Sequence, residues 1–60
     1  MNYKEEALKE EYIMLAEQME ERAKEMRVAL TMGDISAAYG KLAAIAMESV
    51  KGLHKADKAF

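Results

Sequence analysis

The sequence predicts an all-α protein, a two-helix antiparallel hairpin that dimerises into a four-helix bundle. Proline is absent and strong helix formers dominate the 60 residues. Apolar residues recur at a helical period on both sides of Gly33-Asp34, and a linker this short places consecutive helices side by side and antiparallel. We therefore expect one domain over 1–60, with helix one at about 2–32, the turn at 33–34 and helix two at about 35–58.

Helix one carries a single apolar stripe, about 100° wide, which is enough to face one neighbouring layer. The stripe consists of Leu8, Tyr12, Leu15, Met19, Met26 and Leu30, with Ala16 and Ala23 beside it. Arg22 interrupts it. Its guanidinium either reaches solvent from the edge of the stripe or pairs with a carboxylate such as Glu11 or Glu48 across a dimer.

The turn is predicted at Thr31-Met32-Gly33-Asp34. Glycine readily adopts the left-handed conformation that ends a helix, and aspartate is a good N-cap for the helix that follows.

Helix two has an apolar arc of about 180°, wider than one partner helix can cover. Its central stripe comprises Ile35, Tyr39, Leu42, Ala46, Ser49, Leu53, Ala56 and Phe60, flanked by Ala38, Ile45 and Gly52 on one side and by Ala43 and Val50 on the other. Helix one can cover one flank, so the other flank requires a second layer, and twofold dimers are the commonest closed assembly. The predicted dimer interface is Tyr39, Leu42, Ile45, Ala46, Ser49, Val50 and Leu53.

Two further surfaces are candidates for binding. Tyr3, Ile13, Met14 and Val28 fall off the helix-one stripe and are the candidate surface for a protein partner. Lys41, Lys51, Lys55 and Lys58 form a lysine stripe on helix two and are the candidate surface for nucleic acid. The chain is acidic overall, and its charge divides into −4 over residues 1–34 and +2 over residues 35–60.

No residue pattern favours an enzyme. Cysteine is absent, histidine occurs once, and no glycine-rich phosphate loop is present. We therefore predict no catalytic residues, no metal, no other cofactor and no small-molecule substrate. No run of residues is long and apolar enough to span a bilayer, so the sequence predicts a cytoplasmic protein that does not associate with membranes.

These observations predict a small non-enzymatic regulator, adaptor or inhibitor that binds itself and a larger protein through its helical surfaces. Two alternatives remain open. One is a regulator associated with nucleic acid, of the RNA type, that uses the lysine stripe. The other is a structural unit that completes a bundle with a different helical protein.

Overall fold

The computed structural model describes the backbone of residues 3–59 and the side chains of residues 3–58. Two helices, α1 (Tyr3–Thr31) and α2 (Ile35–Ala59), account for nearly all of this part of the chain, which contains no strand. They lie antiparallel and in contact along their length. The predicted helical hairpin is thus confirmed. Phe60 lies outside the described residues.

The turn between the helices is a Schellman motif followed by an N-cap. Gly33 has a φ of 79°, in the left-handed region. Its amide donates to the carbonyl oxygen of Leu30, and the Asp34 amide donates to that of Ala29. The Asp34 carboxylate in turn accepts the amide hydrogen of Ala37 at 3.0 Å, which satisfies one free donor of the first turn of α2.

Three pairs of residues define the register of the hairpin. The Lys55 and Glu11 side chains form an ion pair at 3.1 Å, and those of Lys41 and Glu25 form another at 3.1 Å. Each step forward along α1 is therefore matched by one step back along α2. The Tyr12 hydroxyl donates to the carbonyl oxygen of Gly52 at 2.7 Å, which fixes the open end of the hairpin.

The flank of α2 that packs on α1 carries its small residues. Ala38 and Gly52 are buried and Ile45 is half-buried, and Gly52 lies directly against Leu15 of α1. A Cβ atom added at Gly52 would lie 2.7 Å from Cδ2 of Leu15, so the helices approach closely here because this position has no side chain.

The hairpin is a single thin layer. Its Cα atoms span 48 × 16 × 7 Å, and Leu8 and Ala38 are the buried hydrophobic side chains of the described residues. The accessible surface is 4947 Å². A compact monomer of 6.8 kDa exposes about 3,950 Å², so this chain exposes an excess of about 1,000 Å².

Candidate interaction surface

One broad side of the layer is apolar. On each helix, one set of residues packs against the other helix. The exposed apolar residues are offset from that set by about a quarter turn, in the direction in which the helix winds. Because the helices are antiparallel, this quarter turn leads to the same side of the layer. We call this side the apolar face. It consists of Tyr12, Ile13, Ala16, Ala23 and Leu30 from α1 and of Ile35, Tyr39, Leu42, Ala43, Ala46, Val50 and Leu53 from α2.

The large residues of α2 on this face are well exposed. Tyr39 is 72% exposed, Leu53 68%, Val50 51% and Leu42 48%. Contiguous exposed apolar surfaces of this kind are typical of protein interaction sites. The face has the composition expected of an interface that is still open in the single hairpin.

A shallow groove lies on the α1 part of the apolar face, near the open end of the hairpin. Its floor is formed by Leu8, Tyr12, Ile13 and Ala16, and Glu5 and Lys9 stand at its edge. The groove is lined almost entirely by apolar atoms, so it is suited to an aliphatic side chain rather than to a polar ligand.

The opposite side of the layer is charged, and its charges are largely paired within the hairpin. The Lys41 ammonium, which hydrogen bonds to Glu25, lowers the pKa of that carboxyl, and Arg22 acts in the same direction. Arg22 lies 3.5 Å from Glu25, so the guanidinium that interrupts the α1 stripe is paired within its own helix and is still about two-fifths exposed. The predicted pairing with Glu11 or Glu48 of a second copy is not tested by the single hairpin and stays a prediction.

The residues predicted for a dimer interface divide between two environments. Tyr39, Leu42, Ala46, Val50 and Leu53 belong to the apolar face. Ile45 lies instead on the flank that packs against α1, where it is half-buried. The exposed Ser49 stands at the boundary, and its hydroxyl donates to the Ile45 carbonyl oxygen and contacts Sδ of Met19 at 3.6 Å.

The residues predicted as a partner surface are all exposed but do not form one patch. Ile13 lines the groove of the apolar face. Tyr3, Met14 and Val28 are 89%, 61% and 59% exposed and lie where the charged side of the layer meets the outer side of α1. We call these three residues the outer edge. Met14 lines a shallow depression there together with Glu48, Lys51 and Lys55 of α2.

The lysine stripe is partly neutralised. Lys41 and Lys55 form ion pairs with glutamates of α1, whereas Lys51 and Lys58 are exposed. Pairing lowers the positive potential that a phosphate backbone would meet. Nothing in the hairpin tests nucleic-acid binding, which stays a prediction.

Sequence reasoning missed the hydrogen bond between Tyr12 and Gly52 and both ion pairs between the helices. The sequence contains this information, because the two residues of each pair are separated from the turn by nearly the same number of residues. Residue periodicity by itself gives the face of a helix but not the level at which two helices meet.

In residues 3–58 no three side chains of His, Cys, Asp or Glu are placed to hold a metal ion. Neither helix of the described chain combines the length and hydrophobicity needed to cross a membrane. No protein-family model, curated protein or solved structure matches the chain.

Proposed function

We propose that this chain is a non-enzymatic protein-interaction module, a small regulator or adaptor that dimerises through its apolar face and binds a larger protein through its outer surface. The observation that carries the proposal is the apolar face itself. It runs along both helices and has no counterpart within the hairpin.

The area of exposed surface supports a second copy as the occupant of this face. A standard protein interface buries about 800 Å² on each partner. The excess of about 1,000 Å² over a compact monomer is of that size. Stacking two layers face to face gives a four-helix bundle, in which each α2 meets a helix of its own chain and one of the other copy.

The outer edge is the part of α1 that such a dimer leaves accessible. Tyr3, Met14 and Val28 stand there among exposed glutamates, and aromatic and methionine side chains are common at protein interfaces. We assign the contact with a larger protein to this edge.

Sedimentation equilibrium with circular dichroism tests the proposal. The unmodified chain should be a helical dimer, whereas Leu42→Glu combined with Leu53→Glu should give a monomer with reduced helicity. Four leucines per dimer lose their burial, so the dissociation constant should rise by a factor on the order of 10³ or more.

The matched control is Met14→Glu combined with Val28→Glu, which places the same charges on the outer edge and should leave the dimer intact. A helical monomer at every concentration would refute the dimer. A weakly helical monomer that folds only with a different protein would instead favour the heteromeric bundle. Dimer loss in the control variant would show that the outer edge, not the apolar face, holds the copies together.

A further inference from the structure

We propose that the two hairpins stack in the same direction, with both turns at one end of the bundle and α1 of each copy lying against α2 of the other. This inference rests on the proposed dimer and specifies its geometry. Face-to-face stacking allows two twofold arrangements. In one the axis runs along the helices and the turns coincide, and in the other the axis crosses the helices and the turns lie at opposite ends. Neighbouring helices are antiparallel in both.

The register of the hairpin shows which residues would meet. The pairs Glu11–Lys55 and Glu25–Lys41 show which residues of the two helices stand side by side at the same distance from the turn. We say that such residues lie at the same level. When the turns coincide, each residue of α1 faces the residue of α2 at its own level in the other copy. When the turns lie at opposite ends, each helix faces the same helix of the other copy. The two copies of that helix run in opposite directions.

Packing favours coincident turns because large residues then meet small ones. By register, Val50 of the second copy faces Ala16, and Leu42 of the second copy faces Ala23. Near the turns Ile35 of the second copy faces Leu30, so the match of large with small residues holds across the middle of the face. Alternation of large and small residues fills the space between layers without voids or strain.

Opposed turns set each helix against its own copy. The apolar-face residues of α2 run from Ile35 to Leu53, so a twofold axis at their midpoint sets Ile35 against Leu53 and Leu42 against Ala46. Large side chains then meet at both ends of the face and hold the layers apart there.

The groove provides a site for the most exposed leucine of the face. Its residues Tyr12 and Ile13 lie at the level of Leu53, which is 68% exposed. With coincident turns, Leu53 of the second copy enters the groove between Leu8, Tyr12, Ile13 and Ala16. The twofold axis repeats this contact, so two leucines are buried in each dimer.

Charge at the edge of the apolar face favours the same arrangement. Lys9 borders the groove and lies at the level of Asp57, which follows Leu53 by one helical turn. Neither makes an ion pair within the described residues. Coincident turns bring Lys9 of each copy to Asp57 of the other, and they set the acidic first half of one chain against the basic second half of the other.

Distances between spin labels distinguish the two arrangements directly. The chain has no cysteine, so Met32→Cys in the turn, where the side chain is 78% exposed, gives one label per chain. Coincident turns place the two labelled backbones about 10 Å apart, the spacing of packed helices. Opposed turns separate them by most of the 48 Å length of the hairpin. Mixing with unlabelled chain should reduce the dipolar signal, which verifies that the distance lies between copies.

Charge reversal supplies a second test that does not depend on labels. Lys9→Asp alone sets the new carboxylate of each copy against Asp57 of the other, and Asp57→Lys alone sets the new ammonium of each copy against Lys9 of the other. Each homodimer should dissociate roughly tenfold more readily, because two attractive pairs become repulsive. In a heterodimer of the two variants, Lys9 of one chain meets Asp57 of the other, as in the unmodified dimer. At the second contact the new aspartate at position 9 meets the new lysine at position 57. Both contacts are attractive, so the chains should form heterodimers in preference to homodimers.

The matched control is a mixture of Lys24→Asp and Glu17→Lys, which carry the same kind of charge reversal on the side of α1 away from the apolar face. This mixture should show a weaker preference for heterodimers. A long label distance in a stable dimer, or equal preferences in the two mixtures, would overturn coincident turns and leave the dimer standing. A monomeric chain would overturn both the arrangement and the proposed function.

Discussion

Two glycines of α2 should respond differently to the same substitution. Replacing glycine by alanine inside a helix stabilises the helix by about 1 kcal/mol, because the unfolded chain loses less conformational entropy. At Gly40 nothing lies within 4 Å of the added methyl group. Gly40→Ala should therefore keep the whole gain and raise the unfolding midpoint by about 4–8 °C.

At Gly52 the added methyl group meets Leu15 Cδ2 at 2.7 Å and Tyr12 Cε1 at 3.8 Å. The first distance is too short, so Leu15 must rotate or the helices must separate. Overpacking costs about 1–3 kcal/mol, and here the cost falls at the low end because Cδ2 is the far end of a flexible side chain that can rotate. The cost therefore offsets the gain in helix propensity, and Gly52→Ala should leave stability nearly unchanged.

Thermal and urea unfolding followed by circular dichroism, at matched chain concentrations, measures both effects. A Leu15→Ala background provides the control, because removing the obstructing methyl groups should let Gly52→Ala recover the gain seen at Gly40. Equal stabilisation by both substitutions in the unmodified chain would refute a close approach of the helices at Gly52.

Two further substitutions test the turn and the charged side. Asp34→Ala removes the cap that accepts the Ala37 amide hydrogen, and it should lower stability by about 1 kcal/mol in urea unfolding; an unchanged midpoint would show that the cap is not formed. Glu25→Gln should destabilise the chain at neutral pH, because it removes a carboxylate whose pKa the Lys41 hydrogen bond lowers from 4.5. Since the folded pKa lies below the unfolded one, this contribution is present above pH 4.5 and is lost as the pH falls through the lowered value. The difference in midpoint between Glu25→Gln and the unmodified chain should thus shrink below pH 4.5. In a Lys41→Met background, which lacks the main hydrogen bond to Glu25, the same substitution should show a weaker trend.

The fold was accessible from the sequence because its signals are local. The period of apolar residues defines each helix, and Gly33 with Asp34 specifies the turn through backbone conformation and capping. The breadth of the α2 arc was also readable, including the flank that packs on α1. Ile45 was harder to place, because the apolar period does not show whether a residue of the broad α2 arc packs on α1 or faces a second copy.

The interaction surface was only partly accessible. Exposure of Tyr39, Leu42 and Leu53 follows from the apolar period once one knows which flank α1 covers. The groove is lined by α1 alone, so its residues follow from the helical period, whereas its position opposite Leu53 of a second copy requires the level at which the two helices meet. The identity of a larger partner is not encoded in periodicity at all, because an exposed helix edge specifies only its own shape and charge.

The proposed dimer contact and the proposed contact with a larger protein use different surfaces of the hairpin. The apolar face is the surface that two copies would cover, and on the charged side Glu11 and Glu25 are already paired with lysines of α2. What remains for a larger protein is the outer edge with Tyr3 and Met14. When the turns coincide, the two α1 helices occupy diagonal corners of the bundle, and their outer edges point in opposite directions. Under the proposed function each dimer would then present two identical edges, so we expect it to bind two partner molecules, a stoichiometry that titration calorimetry would measure.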